Sequence, residues 1–248
     1  MDLLLQEAAS FGIPLNQTQS NQFQSYYSEM VEWNKRVNLT SVTNHTEIQI
    51  RHFLDSLIVS TAIPPNLTNP PPKVLDVGSG AGFPGMALKI AFPSLRMTLL
   101  ESTGKKTEFL NHLAEKLNLE NLEICTGRAE TLAHEPNMRE SYDVILSRGV
   151  AKLNTLAELT LPFCKLGGIS VAHKTMGISI EVQKAEEAIK TMGGYVKEVK
   201  NIVPNGKKPP AESPTKLTTA LVILGKIRRT PSKYPRRPGI PAKNPIQP

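Results

Sequence analysis

Residues 74–85 read VLDVGSGAGFPG. Apolar positions lead into Asp76, and glycine then recurs at every second position, at Gly78, Gly80 and Gly82. A strand that ends in such a run and opens a helix lets backbone N–H groups approach a ligand that side chains would block. The spacing selects among ligands. A dinucleotide fingerprint, G-x-G-x-x-G, needs its third glycine at position 83, which is Phe83. The G-x-G-x-G present here suits S-adenosylmethionine, whose methionine portion packs on a glycine turn. A different nucleotide, or a purely structural strand–helix turn, stays open on these residues alone.

Outward from this run the chain alternates in the βα manner of a parallel sheet. The pattern predicts strands at 73–77, 96–100, 122–126, 142–147, 168–173, 195–203 and 217–225. Helices are expected at 84–92, 104–118, 151–164 and 178–192. Only a loop separates the last two strands, so they should pair antiparallel. The fold class is therefore α/β: a doubly wound, mostly parallel seven-stranded sheet with an antiparallel edge hairpin, the Rossmann-like architecture of class I methyltransferases.

Residues 1–64 read as an N-terminal helical cap. Phe23, Tyr26, Tyr27, Met30 and Trp33 recur at helical spacing, as do Ile50, Phe53, Leu54, Leu57 and Ile58, with Thr46 as N-cap of the second group. Trp33 reads as core rather than as a base-stacking platform. His52 and Asp55 lie off the apolar stripe and face either solvent or the mouth of a site. A proline-rich break, Ala62 to Pro72, separates the cap from a domain spanning 65–229. Residues 230–248 are too rich in proline for helix or central strand.

Composition narrows the functional classes. Over 248 residues, 40% are apolar and the mean hydropathy is −0.22, as in soluble globular proteins. No apolar run approaches the ~20 residues of a membrane span. The N-terminus, MDLLLQEAAS, lacks the basic residues of a signal or transit peptide, so a cytoplasmic location is expected. Cys125 and Cys164 lack metal-ligand spacing and read as buried free thiols, with no metal expected.

The net charge of +7 is uneven: residues 201–248 hold ten basic side chains against one acid, Glu212. Lys226, Arg228, Arg229, Lys233, Arg236 and Arg237 cluster within that stretch, which points to a polyanionic partner. Lys105 and Lys106 open a helix, where cations oppose the dipole, so a phosphate contact is expected of them.

The strand ends supply the candidate site. Glu101 ends the second strand, 23 residues after Gly78, where a carboxylate accepts both hydroxyls of a ribose; capping the following helix is the competing role. The third strand ends at ICTGRAE, placing Ala129 and Glu130 beside the expected adenine. The fourth ends at DVILSR, placing Ser147 and Arg148 over the cofactor.

Taken together, these segments resemble the RsmG (GidB) family of bacterial methyltransferases, which modify N7 of a guanosine in small-subunit ribosomal RNA. The match rests on WNKRVNLTSV (33–42), RHFLDSL (51–57), DVGSGAGFPG (76–85), LLESTGKKTEFL (99–110), SRGVAKL (147–153) and KYPRRPGIP (233–241), and so spans nearly the whole chain. Gly-Phe-Pro-Gly is far more specific than the glycine run itself. The resemblance implies a cofactor pocket built from Gly78, Phe83, Glu101, Ser102, Thr103, Ala129, Glu130 and Arg148, with Gly80 and Gly82 completing the turn. It implies S-adenosylmethionine as cofactor and 16S ribosomal RNA or the 30S particle as partner; a monomer is expected. The sequence departs from the family at Gly149, where alanine is usual, and at His173-Lys174-Thr175, where Lys-Gly is commoner.

The chemistry agrees with what the sequence lacks. Guanine N7 carries an unprotonated lone pair at neutral pH, so no general base is needed and no catalytic residue is assigned; positioning suffices. Cytosine C5 methylation needs a cysteine nucleophile, yet neither cysteine follows a proline as in that family. Exocyclic-amine enzymes carry an Asp/Asn-Pro-Pro-Tyr run where this chain has SRGVA. A bidentate arginine on guanine O6 and N7 would mask the reactive atom, so the base must be held by stacking and its other edge. Two further classes, a non-catalytic assembly protein and a small-molecule methyltransferase, are disfavoured by the intact glycine–Glu101 set and the basic C-terminus respectively.

Overall fold

A computed structural model of the chain describes residues 1–63, 70–203 and 218–247. The VLDV segment forms strand β1 (Lys73–Val77), buried from Val74 onward as befits a central strand covered on both faces. Beside it run β2 (Arg96–Glu101), β3 (Leu122–Thr126), β4 (Tyr142–Arg148) and β5 (Cys164–Thr175), all parallel. Strands β6 (Gly194–Asn201) and β7 (Thr219–Lys226) complete the order β3-β2-β1-β4-β5-β7-β6, with β7 antiparallel to both neighbours. The expected doubly wound sheet with its edge hairpin is therefore present. Strand order reverses between β1 and β4, and at such a switch point the carboxyl ends of the strands open a crevice.

Helices α5 (Gly85–Ala91), α6 (Gly104–Lys116), α7 (Ala129–Leu132), α8 (Leu153–Thr160) and α9 (Ser179–Thr191) connect the strands. Helix α8 stops before the position expected from sequence because Pro162 lies in the 3-10 turn Leu161–Phe163, where its missing N–H prevents continuation. Strand β5 starts earlier than expected. The expected strand begins at 168, yet Cys164 already pairs with Tyr142 ahead of a register shift.

The N-terminal segment contains α1 (Asp2–Ser10), α2 (Gln17–Asn34), α3 (His45–Ile48), a π-helical turn (Gln49–Leu54), α4 (Asp55–Leu57) and a 3-10 turn (Ile58–Ala62). Asn44, not Thr46, caps α3: its side-chain amide oxygen accepts from the Thr46 and Glu47 N–H groups at 3.0 and 3.1 Å. At α2, Asn16 and Gln19 form a reciprocal capping box. Gln19 Nε2 also donates to the carbonyls of Ile90 and Ala91, which are orphaned at the end of α5. That one residue thus starts one helix and closes another, docking the cap against the helix that follows the glycine turn. Leu4, Phe23, Tyr26, Met30 and Phe53 share one apolar core with Val74, Met86 and Leu110.

Beyond β7 the chain folds back over the domain, with Tyr234 and Ile246 packing against an apolar cluster centred on α8 and α9. A short helix, α10 (Ile240–Lys243), forms where the proline content argued against one. Pro241 falls in its first turn, where a missing N–H costs nothing.

Candidate active site

The glycine run turns sharply after β1. Gly78 has φ +75°, and the N–H groups of Gly78 and Ser79 both donate to the Leu100 carbonyl, at 2.8 and 3.1 Å. A Cβ on Gly78 would lie 2.7 Å from Val150 Cγ2, so only glycine keeps this turn. Glu101 ties the turn to the next helix. One carboxylate oxygen accepts from Gly80 N–H at 2.9 Å, the other from Thr103 N–H at 2.8 Å. The helix-end role weighed against ribose binding is thus present, but a carboxylate has about four acceptor sites and keeps capacity for a diol.

These ends enclose a crevice of about 200 Å³. It is lined by Val77 and Gly78 from the end of β1, Leu100 and Ser102 from the end of β2, Gly127 to Glu130 after β3, and Val150, Ala151, Thr155 and Leu159 after β4. Gly78, Ser102, Ala129 and Glu130 from the sequence-derived set therefore share one cavity, and Gly80, Glu101 and Thr103 are hydrogen-bonded at its edge. Apolar Val77, Leu100, Val150 and Leu159 suit a flat aromatic group, and the free Glu101 acceptor sites suit vicinal hydroxyls, so the donor set fits an adenosine-bearing cofactor.

Gly82, Phe83 and the Arg148 side chain stand outside that cavity, behind the turn. Gly82 is held without a side chain by the Tyr26 hydroxyl and Met86. Phe83 stacks on Tyr26 and on His52, with ring centroids 5.3 and 4.8 Å apart, and carries the Arg148 guanidinium over its face at 5.0 Å. Arg148 also donates to Ser56 Oγ and Asp55 Oδ2 at 3.2 and 3.3 Å, and contacts His52 Nδ1 at 3.0 Å. The π turn supplies the nearby carbonyls of Arg51 and His52. His52 and Asp55 therefore do not form a solvated helix face; they anchor Arg148.

Electrostatics in this cluster follow from burial. Desolvation, reinforced by the Arg148 charge, pushes His52 down to about 4, so it is neutral at physiological pH. Burial alone would raise Asp55, but His173 at 2.9 Å, Arg148 and the Thr219 hydroxyl hold it below the usual carboxylate range. Asp76 of the glycine run accepts from Gly85 N–H at 2.9 Å, while burial pushes it up to about 7 and its other oxygen has no partner.

The structure redistributes the basic residues. Lys226 is buried, and its ammonium donates to the carbonyls of Leu161 and Met192 and to the Thr230 hydroxyl, so it is not a phosphate contact. Arg236 donates from its backbone and guanidinium to Glu158, whose side chain is 1% exposed. Lys174 is held by Glu181 and the Ala151 carbonyl. Arg228, Arg229, Lys233, Arg237 and Lys105 are exposed. Trp33 packs against the core beside Phe109. Among the described residues no group of three or more His, Cys, Asp or Glu side chains could hold a metal. The sequence offers Tyr26 only as a core position and His173 only as a departure from the family pattern, and Glu158 and Gly239 have no assigned role there; the one available signal was Glu158, an acid inside the apolar run LNTLAELT.

The strand order, the glycine turn and the carboxylate at the end of β2 define a class I methyltransferase. A chain of the complex between the Haloferax volcanii Trm112 methyltransferase activator and a methyltransferase shares this fold, with a TM-score of 0.54 over 82% of this chain and 98% of its own, at 16% identity. The model of the family described as rRNA small subunit methyltransferase G matches residues 19–208. Ribosomal RNA small subunit methyltransferase G of Dehalococcoides mccartyi is 46% identical, covering 99% of this chain and 100% of its own. The protein of that name from Bacillus subtilis is 41% identical over 96% and 95%. The chain belongs to the rRNA small subunit methyltransferase G family.

Proposed function

We propose that this protein transfers a methyl group from S-adenosylmethionine to N7 of a guanosine in 16S ribosomal RNA, acting as a cytoplasmic monomer on naked RNA or a 30S particle. The observation that carries the reading is the crevice lined by Gly78, Ser102, Ala129 and Glu130, with the glycine turn hydrogen-bonded to the Glu101 carboxylate at its edge, at the switch point of a methyltransferase sheet.

When bound, the cofactor supplies an electrophilic methyl group on a sulfonium. Gly78 and Gly80 give the close backbone approach, Glu101 takes the ribose hydroxyls, and the amides and side chains at Ala129–Glu130 border the adenine. Phe83, stacked under His52 and Arg148, fixes the floor between cap and turn. N7 needs no deprotonation, and none of these groups is poised as a base: His52 is engaged by Arg148, and Asp76 is sealed in the core. Only Cys164 is buried as the sequence suggests; Cys125 is half-buried. The thiols offer no nucleophile, since partial burial and the adjacent Glu123 push Cys125 up to about 11 and burial pushes Cys164 up to about 12. Rate enhancement then comes from alignment of N7 with the methyl carbon, a contribution that reaches ~7–11 kcal/mol in well-oriented systems. Arg128 lines the crevice, and Arg128, Lys105 and Arg237 are exposed and offer phosphate contacts. Calorimetry tests the pocket: S-adenosylmethionine and S-adenosylhomocysteine should bind without RNA. Binding of NADH in their place would overturn the assignment.

A further inference from the structure

From the sequence, the segment after β7 reads as a basic, proline-rich tail directed at a polyanionic partner. Instead it is built into the crevice. Gly239 and Ala242 form part of the cavity wall. Gly239 N–H donates to the Glu130 carboxylate at 2.9 Å, and Thr155 Oγ1 donates to the Pro241 carbonyl at 3.0 Å. Glu130 and Thr155 are themselves crevice residues, so the segment is hydrogen-bonded to the walls it completes.

Its placement is fixed from within the domain. Arg236 makes a bidentate ion pair with Glu158, which without it would be an uncompensated charge inside an apolar helix. His134 Nε2 lies 2.8 Å from the Pro235 carbonyl, and Arg139 donates to the carbonyls of Thr230 and Tyr234. The turn that reaches the cavity uses Gly239 at φ +83°, and nothing lies within 4 Å of where its Cβ would point. Ala242 is exposed on the cavity side. An arm serving only as an RNA contact needs neither a buried anchor nor a wall position.

We propose that residues 236–242 are a cofactor-binding element: the outer wall of the crevice, clamped by the Arg236–Glu158 pair, which a bound S-adenosyl compound contacts and holds closed. The proposal rests on the reading that the crevice takes that cofactor. Because coupling is reciprocal, ligand in the crevice must stabilise the closed wall as much as the wall stabilises the ligand.

Calorimetry with S-adenosylhomocysteine on the full chain tests it, using wild type, Ala242→Trp and Arg236→Gln. Ala242→Trp changes an exposed side chain and should leave the melting temperature unchanged, yet weaken binding at least tenfold by filling the cavity from the wall. Arg236→Gln should also weaken binding. Hydrogen exchange read by mass spectrometry should show amides of 236–242 slowed by the ligand in wild type. Wild-type affinity in both variants, or exchange in this segment that ignores the ligand, overturns the proposal. Failure of wild type to bind S-adenosylhomocysteine overturns the methyltransferase reading, and this proposal with it.

Discussion

Replacing Glu101 by glutamine should destabilise the protein even without cofactor. Both carboxylate oxygens accept a backbone N–H, from Gly80 at 2.9 Å and Thr103 at 2.8 Å, and the side chain is 6% exposed. A carboxamide has one acceptor oxygen and one NH₂ donor. Glu101→Gln therefore keeps one of these bonds and sets a donor against a donor at the other. A hydrogen bond to a charged group contributes ~1.5–3 kcal/mol, and a donor left facing a donor adds to its loss, while water entering the cleft recovers part. The net cost should be about 2–3 kcal/mol. For a chain of this size each kcal/mol moves Tm by ~2–4 °C, so calorimetric Tm of the apo protein should fall by about 4–12 °C. S-adenosylhomocysteine affinity should fall as well, by roughly tenfold or more, through loss of the anionic ribose acceptor. An apo Tm equal to wild type would refute the view that Glu101 organises the turn before any ligand arrives.

Two further outcomes follow from the site. Asp76 has its folded pKa raised to about 7 by burial, above its ordinary 3.8, so its contribution to stability is complete below pH ~4 and is lost as pH rises through 7. Asp76→Asn keeps the Gly85 acceptor and removes that titration; in urea denaturation its advantage over wild type should grow from pH 4 to 8 toward a ceiling of about 4 kcal/mol, and a constant difference would contradict the assignment. Arg237→Gln, at an exposed position, should weaken RNA binding and flatten its salt dependence by ~0.7 per lost single-strand phosphate contact, with apo Tm unchanged. An unaltered salt slope would assign Arg237 to solubility alone.

How much of this was legible in the sequence depended on the range of the interaction. The glycine run, the alternating βα periods and Glu101 are local patterns, and the structure places them at one crevice because strand ends in a doubly wound sheet converge there. The C-terminal segment misled because its signals are local too: proline reads as irregular, and a run of cations reads as a polyanion contact. Neither reveals that Arg236 meets an acid on α8, 78 residues earlier in sequence. His52 and Asp55 lie off their apolar stripe, as the sequence shows, but their partner Arg148 comes from β4 and only the folded sheet brings it to them. The π turn that sets their direction has no residue signature in QIRHFL.

The most direct test of the account is the position of the methyl group. Purified protein should transfer labelled methyl from S-adenosylmethionine to 16S RNA, presented deproteinised and as 30S particles, and the modified base should be read by borohydride reduction and aniline-induced strand scission, to which N7-methylguanosine is selectively sensitive. The account predicts a single scission at one guanosine, absent with Gly78→Val, whose branched side chain cannot occupy the turn beside Val150. Label that enters RNA without making any guanosine sensitive to borohydride–aniline scission, or that survives Gly78→Val, would contradict it.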